Sequence, residues 1–319
     1  MRAFQVTEFA TPPVLQDIPK PKAGQGEVLL KIEACGLNFA DLLMVKGTYQ
    51  ERPPLPFTLG MEVSGTVVAQ GEGVTSPAIG DRVAVFGGNG GLAEFGTFPA
   101  NLCVILPDEM PFEHAAAFQV AYSTSHVALD YRAQLQPGET LLVLGAAGGV
   151  GLTAVELGKL MGAKVIAAAR GEDKLDVCRQ AGADHVIDTG SEDLREAVKS
   201  LGGADVVYDP VGGDLFTAAL RACKPEARVL TIGFASGTVP QIAANHLLVK
   251  NINVIGFYWG GYLRFKPQVL TDSLKQLSLW YAQGKLHPHI SHTLPLDQAS
   301  EGLELLRSRR STGKVVITP

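Results

Sequence analysis

Residues 138–159, GETLLVLGAAGGVGLTAVELGK, confine the chain to few folds. A run of strand character, Thr140 to Leu144, enters a glycine-dense turn, Gly145 to Gly151, and leaves as a helix. The apolar positions of that helix, Val150, Ala154, Leu157 and Met161, recur every three to four residues and so share one face. A turn of this kind at a helix start offers unpaired backbone N–H groups and the positive end of the helix dipole to an anion, and glycine lets a pyrophosphate approach. The expected guest is a dinucleotide. The usual fingerprint, G-x-G-x-x-G, is met with Ala146 at the first glycine, followed by Ala147, Gly148, Gly149, Val150 and Gly151. Glycine-rich turns also serve packing alone, so the surrounding pattern has to decide.

Downstream of Thr140, strand candidates alternate with helices. The strands are Leu141 to Leu144, Lys164 to Ala168, His185 to Ile187, Ala204 to Tyr208, Arg228 to Ile232 and Asn253 to Phe257; helices at Val150 to Met161, Glu172 to Ala181, Glu192 to Ser200 and Leu215 to Ala222 lie between most of them. Such alternation predicts right-handed crossovers and a parallel sheet covered on both faces, which raises the glycine turn above mere packing. From Met1 to about Leu106 the pattern is instead short strands punctuated by Pro and Gly, with one helix, Leu37 to Gly47, for which Asn38 is a candidate N-cap and Asp41 follows three residues on. The tail is helical from Lys266 to Gln283 and from Leu296 to Arg307, and a last strand, Lys314 to Thr318, is expected to return to the first domain.

The composition excludes several classes. With 319 residues, 46% hydrophobic and 18% charged, the chain has the makings of an ordinary globular enzyme of two domains. A net charge of −5 with no basic-aromatic stripe argues against nucleic acid. No apolar run reaches the length of a membrane span and the first residues lack a signal-like core, so a cytoplasmic location is expected. The four cysteines, Cys35, Cys103, Cys178 and Cys223, are scattered and suggest neither disulfides nor a thiolate metal site.

Four segments carry a family likeness: ACGLNFADLLMVKGTY (34–49), LGMEVSGTVVAQGEGV (59–74), the glycine stretch, and YDPVGG (208–213). Together the chain resembles the medium-chain dehydrogenase/reductase superfamily and, within it, the zinc-independent NADPH:quinone oxidoreductase group that includes zeta-crystallin. The resemblance implies an α/β protein made of a GroES-like β-rich catalytic domain (1–121), a Rossmann doubly wound domain binding NADPH (122–257) and a C-terminal return (258–319). The zinc enzymes of the superfamily carry a cysteine where this chain has Asn38, a histidine where it has Met61, and a third ligand near Val120. Asparagine, a thioether and an aliphatic side chain do not make a Zn²⁺ site, so metal-free chemistry is expected. Without a Lewis acid, hydride transfer suits an already electron-poor acceptor: a quinone, or a conjugated enone or enoyl thioester.

The likeness also implies roles. Asn38 is expected to bond the nicotinamide ribose or a substrate oxygen, with capping of its helix as a compatible alternative. Asp41 either orients that site or favours the helix N-terminus. Tyr49 offers a phenol at the substrate cleft, or packs. These three form the expected catalytic set. For the coenzyme, the backbone of Ala147, Gly148, Gly149 and Val150 is expected on the pyrophosphate, Thr124 near the carboxamide, Gly233, Phe234 and Phe257 around the nicotinamide, and Arg309 at its edge. NAD-dependent Rossmann domains place an acid after the second strand. This chain has Ala169 and Arg170 there, with Lys174 a turn later, a pair suited to a 2′-phosphate; Thr189 lies near the same phosphate. Trp259 and Tyr262 either wall the acceptor pocket or belong to the contact of a homodimer. His126 reads as structural, and His287, His289 and His292 as a solvated segment in a Pro-broken loop. The alternatives to quinone reduction are an enoyl-CoA or enone reductase and a non-catalytic NADPH-binding protein.

Overall fold

In the computed structural model, which describes all 319 residues, the chain begins with short antiparallel strands. Strand β1 (Arg2–Val6) pairs antiparallel with β2 (Val14–Asp17) and, after β3 (Glu27–Gly36) and helix α1 (Phe39–Lys46), with β4 (Phe57–Thr58). In β3, Val28, Leu29, Leu30 and Ile32 are buried and Lys31 is the one exposed residue, so most of this central strand is covered on both faces. Helix α1 ends at Gly47, whose φ of 68° is the left-handed conformation that closes a helix through its amide. There follow β5 (Glu62–Gln70), β6 (Arg82–Phe86), β7 (Phe95–Pro99), β8 (Val104–Ile105) and α2 (Phe112–Ala116).

At Ala121 the chain enters a second unit that runs to His287. It is led in by α3 (Gln119–His126), which continues as a π-helical stretch, Val127–Arg132. A six-stranded, all-parallel sheet follows. Its strands are β9 (Thr140–Leu144), β10 (Lys164–Ala169), β11 (His185–Asp188), β12 (Ala204–Asp209), β13 (Cys223–Thr231) and β14 (Asn253–Gly256), in the spatial order β11-β10-β9-β12-β13-β14. Helices α4 (Gly149–Leu160), α5 (Glu172–Gln180), α6 (Leu194–Ser200) and α7 (Gly213–Ala222) connect the first five strands, and α8 (Ala244–Lys250) precedes the last. Leu141 to Leu144 and Val165 to Ala168 are wholly buried because helices cover both faces, which is why these strands read as continuous apolar runs. The order reverses beside β9, so the carboxyl end of β9 is the switch point where this architecture binds ligands.

Residues 258–287, expected to belong to the C-terminal return, stay with the second unit. Helices α9 (Trp259–Phe265) and α10 (Pro267–Ala282) are tied to α3 by buried polar contacts. Trp259 Nε1 donates to Ser123 Oγ (2.9 Å), Ser123 Oγ meets Ser273 Oγ (3.3 Å), and Ser273 Oγ meets His126 Nδ1 (2.9 Å). Burial keeps the His126 pKa below its ordinary value, in line with a neutral structural ring.

From Pro288 the chain rejoins the first unit, through β15 (Ile290–Pro295), α11 (Ala299–Arg307) and β16 (Lys314–Thr318). Strand β16 lies antiparallel to β3 (Val316 opposite Gly36) and completes a seven-stranded sheet. The histidine segment is not the open loop expected: His292 lies in β15, and His289 is half-buried with Nε2 2.9 Å from Thr312 Oγ1. No helix is long and apolar enough to cross a membrane.

Candidate active site

The candidate site residues fall into two sets, one in each unit. In the second unit, β9 hands over to α4 through Gly145, whose φ of +57° and proximity to Val211 (an added Cβ would lie 2.8 Å from Cγ2) leave room for glycine alone. The tight turn is thus made by Gly145, one residue before the Ala146 that stands at the first fingerprint position. A Cβ on Gly151 would fall 2.3 Å from the Gly145 carbonyl oxygen, so this glycine lets the helix descend onto the strand. Gly148 is the N-cap, and the first-turn amides of Gly149, Val150 and Gly151 have no carbonyl one turn behind them. Ala147 is buried and contributes backbone only. Beneath the turn, Ser125 Oγ donates to the Val150 carbonyl (2.9 Å) and contacts Thr153 Oγ1 (2.8 Å) and Tyr208 OH (3.0 Å), a buried hydroxyl cluster that fixes the first turn of α4. The result is an anion seat of backbone N–H groups.

At the end of β10, Arg170 is exposed and Lys174 half-buried on α5. Asp188, closing β11, accepts from the Gly171 amide (3.0 Å), the Gly190 amide (2.9 Å) and Ser191 Oγ (3.0 Å), and so spaces the two turns. The amides of Gly190 and Gly171, with Ser191 and the nearby Arg170 charge, hold its carboxyl below the usual range. The stem of Arg170 passes Gly190, where an added Cβ would lie 3.2 Å from its Cγ. Thr189 differs from expectation: its hydroxyl donates to the Ala169 carbonyl (3.2 Å), which takes the hydrogen a phosphate oxygen would need. After β12, buried Asp209 accepts from the Val211 and Gly212 amides, and Phe234, following Gly233, sits beside Gly212 with 38% of its surface exposed. Phe257 is buried against Tyr262, ring centroids 5.6 Å apart, and Thr124 is buried on α3. Tyr262 is itself buried and accepts a hydrogen bond from Arg132 (3.3 Å), while Trp259 is spent on Ser123. Neither lines an open wall.

In the first unit, three segments meet around Gly36, which pairs with Glu62 of β5 and Val316 of β16. The register brings Asn38, Glu62 and Lys314 together. The Lys314 ammonium bonds Glu62 Oε1 and Asn38 Oδ1, the latter at 2.8 Å. Asn38 Nδ2 donates to Glu62 Oε1 (2.9 Å) and to the Gly36 carbonyl (3.3 Å), while Glu62 Oε2 accepts from the Val120 amide (2.9 Å). Asp41 Oδ2 accepts from the Asn38 amide (2.7 Å), the acid's half of a capping box. Its Oδ1 is buried without a hydrogen-bond partner.

Asp41, expected in the catalytic set, is fully buried and touches no surface a ligand can reach; it supports Asn38 instead. Burial pushes its carboxyl up to about 7, opposed by the Asn38 amide and the Lys314 charge and helped by Glu62. Tyr49 lies beyond α1, half-buried against the core of this unit, and Arg309 is exposed in a left-handed turn (φ 56°) after α11. The zinc-ligand positions hold Asn38, which accepts from the Lys314 ammonium, buried Met61, and Val120, whose amide donates to Glu62, a donor set and a charge that do not fit Zn²⁺. No group of three or more His, Cys, Asp or Glu is placed to hold a metal ion.

Comparison with known proteins fits this geometry. The family "Alcohol dehydrogenase GroES-like domain" matches residues 24–108 and "Zinc-binding dehydrogenase" matches 149–275. A quinone oxidoreductase-like protein 2 homolog from Nematostella vectensis is 42% identical over 99% of this chain and 88% of its own length. The chain belongs to the zinc-independent quinone oxidoreductase group of the medium-chain dehydrogenases and reductases. Solved members of the group superpose closely. The quinone oxidoreductase of Thermus thermophilus, described with its NADPH complex, has a TM-score of 0.88 at 35% identity, and that of Escherichia coli, complexed with NADPH, 0.93 at 28%; each comparison covers the whole of both chains. Against this family background, sequence reasoning missed Lys314 and the pairing role of Glu62. A lysine opening a C-terminal strand and a glutamate opening β5 carry no local sign that they meet.

Proposed function

We propose that this protein is an NADPH-dependent oxidoreductase that passes hydride to a quinone or a similar electron-poor acceptor. The observation that carries the reading is the uncharged backbone seat at the start of α4, with Arg170 and Lys174, rather than an acid, at the end of β10. The seat suits a pyrophosphate, and an arginine fork with a second cation suits a 2′-phosphate. NADPH, when bound, would supply a hydride, which with one solvent proton reduces a quinone to hydroquinone and leaves NADP⁺; a hydride entering at a ring carbon gives hydroquinone once the added C–H is lost and the carbonyl oxygen is protonated. Residues at the former metal positions provide no Lewis acid, so the acceptor must bring its own electron deficiency. A homodimer is supported by β14, an open sheet edge, and by α8, on which Leu248 and Val249 are 76% exposed; a sedimentation mass of twice 33.7 kDa checks it.

The test is a turnover panel of 1,4-naphthoquinone-type acceptors and crotonyl-type thioesters with NADPH and with NADH. The expected result is quinone reduction with NADPH preferred, and an Arg170→Ala variant that loses roughly tenfold or more of that preference, the worth of one charge-assisted contact. Preference for NADH sinks the coenzyme assignment. Faster thioester turnover moves the protein to enoyl reduction, and NADPH binding with no acceptor reduced makes it a non-catalytic binder.

A further inference from the structure

The glycines that open the seat at the start of α4 also loosen it. Gly149 and Gly151 hold two of the first three positions of that helix, and glycine is, after proline, the poorest helix former because its backbone has the most freedom to lose. Support for the turn has to come from outside it. Three buried hydroxyls from three elements lie beneath: Ser125 on α3, Thr153 on α4 and Tyr208 on β12. The phenol of Tyr208 has one neighbour to donate to, Ser125 Oγ (3.0 Å). Ser125 passes its own hydrogen to the Val150 carbonyl (2.9 Å), and Thr153 Oγ1 lies 3.1 Å from both that carbonyl and the Ala121 carbonyl of α3.

A peptide group is planar, so the Val150 carbonyl and the Gly151 N–H are opposite edges of one plate. Holding the oxygen from below aims that N–H, one of the first-turn amides with no carbonyl one turn behind it, and each hydrogen bond on the oxygen polarises the peptide towards stronger donation. Packing gives no reason for the hydroxyls, since alanine, valine and phenylalanine would fill the same space and leave no polar group to satisfy.

We infer that Ser125, Thr153 and Tyr208 are positioning residues for the coenzyme: they hold the glycine-loosened first turn of α4 from behind, so that its amides meet a pyrophosphate already aligned. The inference rests on the coenzyme reading above and deepens it, adding three buried side chains to those that set the affinity. A turn ordered in advance has less freedom to lose when the anion arrives, and binding is tighter by that difference.

The experiment removes the hydroxyls together. In the variant Ser125→Ala, Thr153→Val, Tyr208→Phe each group gives way to an apolar one of like shape and no buried donor is stranded. The Val150 and Ala121 carbonyls keep their helix amides, so the full-length protein is expected to fold. Fluorescence titration with NADPH, and its displacement by 2′-phosphoadenosine, which has the 2′-phosphate but no pyrophosphate, yield two dissociation constants. The triple variant should bind NADPH about tenfold more weakly than wild type, the worth of one hydrogen bond, and should bind 2′-phosphoadenosine as wild type does. A purely structural cluster would move the unfolding midpoint and leave both constants in place. Unchanged NADPH affinity therefore overturns the proposal, and so does an equal loss for both ligands, which would mean that the whole unit had loosened. Tyr208→Phe alone takes one hydroxyl from the far end of the chain; it should show the same selectivity at about twofold, and it decides the matter if the triple variant does not fold. Failure of wild type to bind NADPH at all overturns the coenzyme reading beneath, and is told apart because it shows before any substitution is made.

Discussion

The seat at the start of α4 and the cluster around Asn38 solve different problems with different materials. The first is built from one contiguous stretch of backbone, Gly145 to Gly151, with no charged side chain, and it works because glycine removes the atoms that would block it. The second joins Asn38, Glu62 and Lys314 across separations of 252 and 276 residues and depends on full charges taken out of water. A site made of local backbone tolerates change around it and fails sharply when a glycine is filled. A site made of distant charges fails by degrees, through whichever partner is lost and through pH.

The sharpest way to break the first region is Gly151→Val. A Cβ there would lie 2.3 Å from the Gly145 carbonyl oxygen and 2.9 Å from Ala146 Cα, both backbone atoms, so helix and strand must separate. Overpacking of this kind costs about 3 kcal/mol or more, read by denaturant unfolding. Coenzyme binding should be lost in the fraction that remains folded. Undiminished NADPH affinity in a folded Gly151→Val protein would show that the seat is not where the dinucleotide binds.

Asp41 sharpens the second region through pH. Its carboxyl is raised to about 7 in the folded protein, from an ordinary value near 4 in the unfolded chain. Between those two values the folded state binds the proton that the unfolded state has released, so unfolding gives up a proton and stability falls as pH rises. Asp41→Asn cannot titrate. Relative to wild type it should gain stability between pH 5 and pH 8, by about 2 kcal/mol, measured by urea unfolding at the two pH values. A difference that does not change with pH would mean that Asp41 keeps one charge state throughout.

The same contrast explains what was legible in advance. The parallel sheet, its strand positions and the return of Lys314–Thr318 to the first unit were readable, because each rests on hydrophobic periodicity or on turn residues within a dozen positions. Helix α1 and its Gly47 stop were readable for the same reason. The fate of residues 258–287 was not: a Trp259–Ser123–Ser273–His126 chain of buried polar contacts decides it, and hydroxyls on helices give no sign of which neighbour they will find. The family likeness put Asp41 in the catalytic set beside Asn38, while its spacing spoke only for the helix start. Its complete burial, close to Glu62 and Lys314 from strands distant in the chain, is nothing that spacing encodes.

The smallest expected effect lies between the two extremes, on α4 itself. Glu156 Oε2 accepts from the Tyr122 hydroxyl (2.6 Å) and Oε1 from the His287 amide (2.7 Å), binding the second residue and the last residue of the second unit to the dinucleotide helix. Burial raises its carboxyl pKa against the pull of those two donors. A glutamine has the same reach: its oxygen can accept from the His287 amide, and its NH₂ can donate to the Tyr122 oxygen once that hydroxyl turns round. Both bonds survive and the cost of burying a charge is gone, so Glu156→Gln should change stability by no more than about 0.5 kcal/mol. Glu156→Leu loses both bonds, one of them made by buried Tyr122, at about 1–3 kcal/mol. Equal losses in the two variants, measured by chemical unfolding at pH 7, would show that the clasp needs the carboxylate's charge, and would place α4 with the distant-charge site rather than with the backbone seat at its own N-terminus.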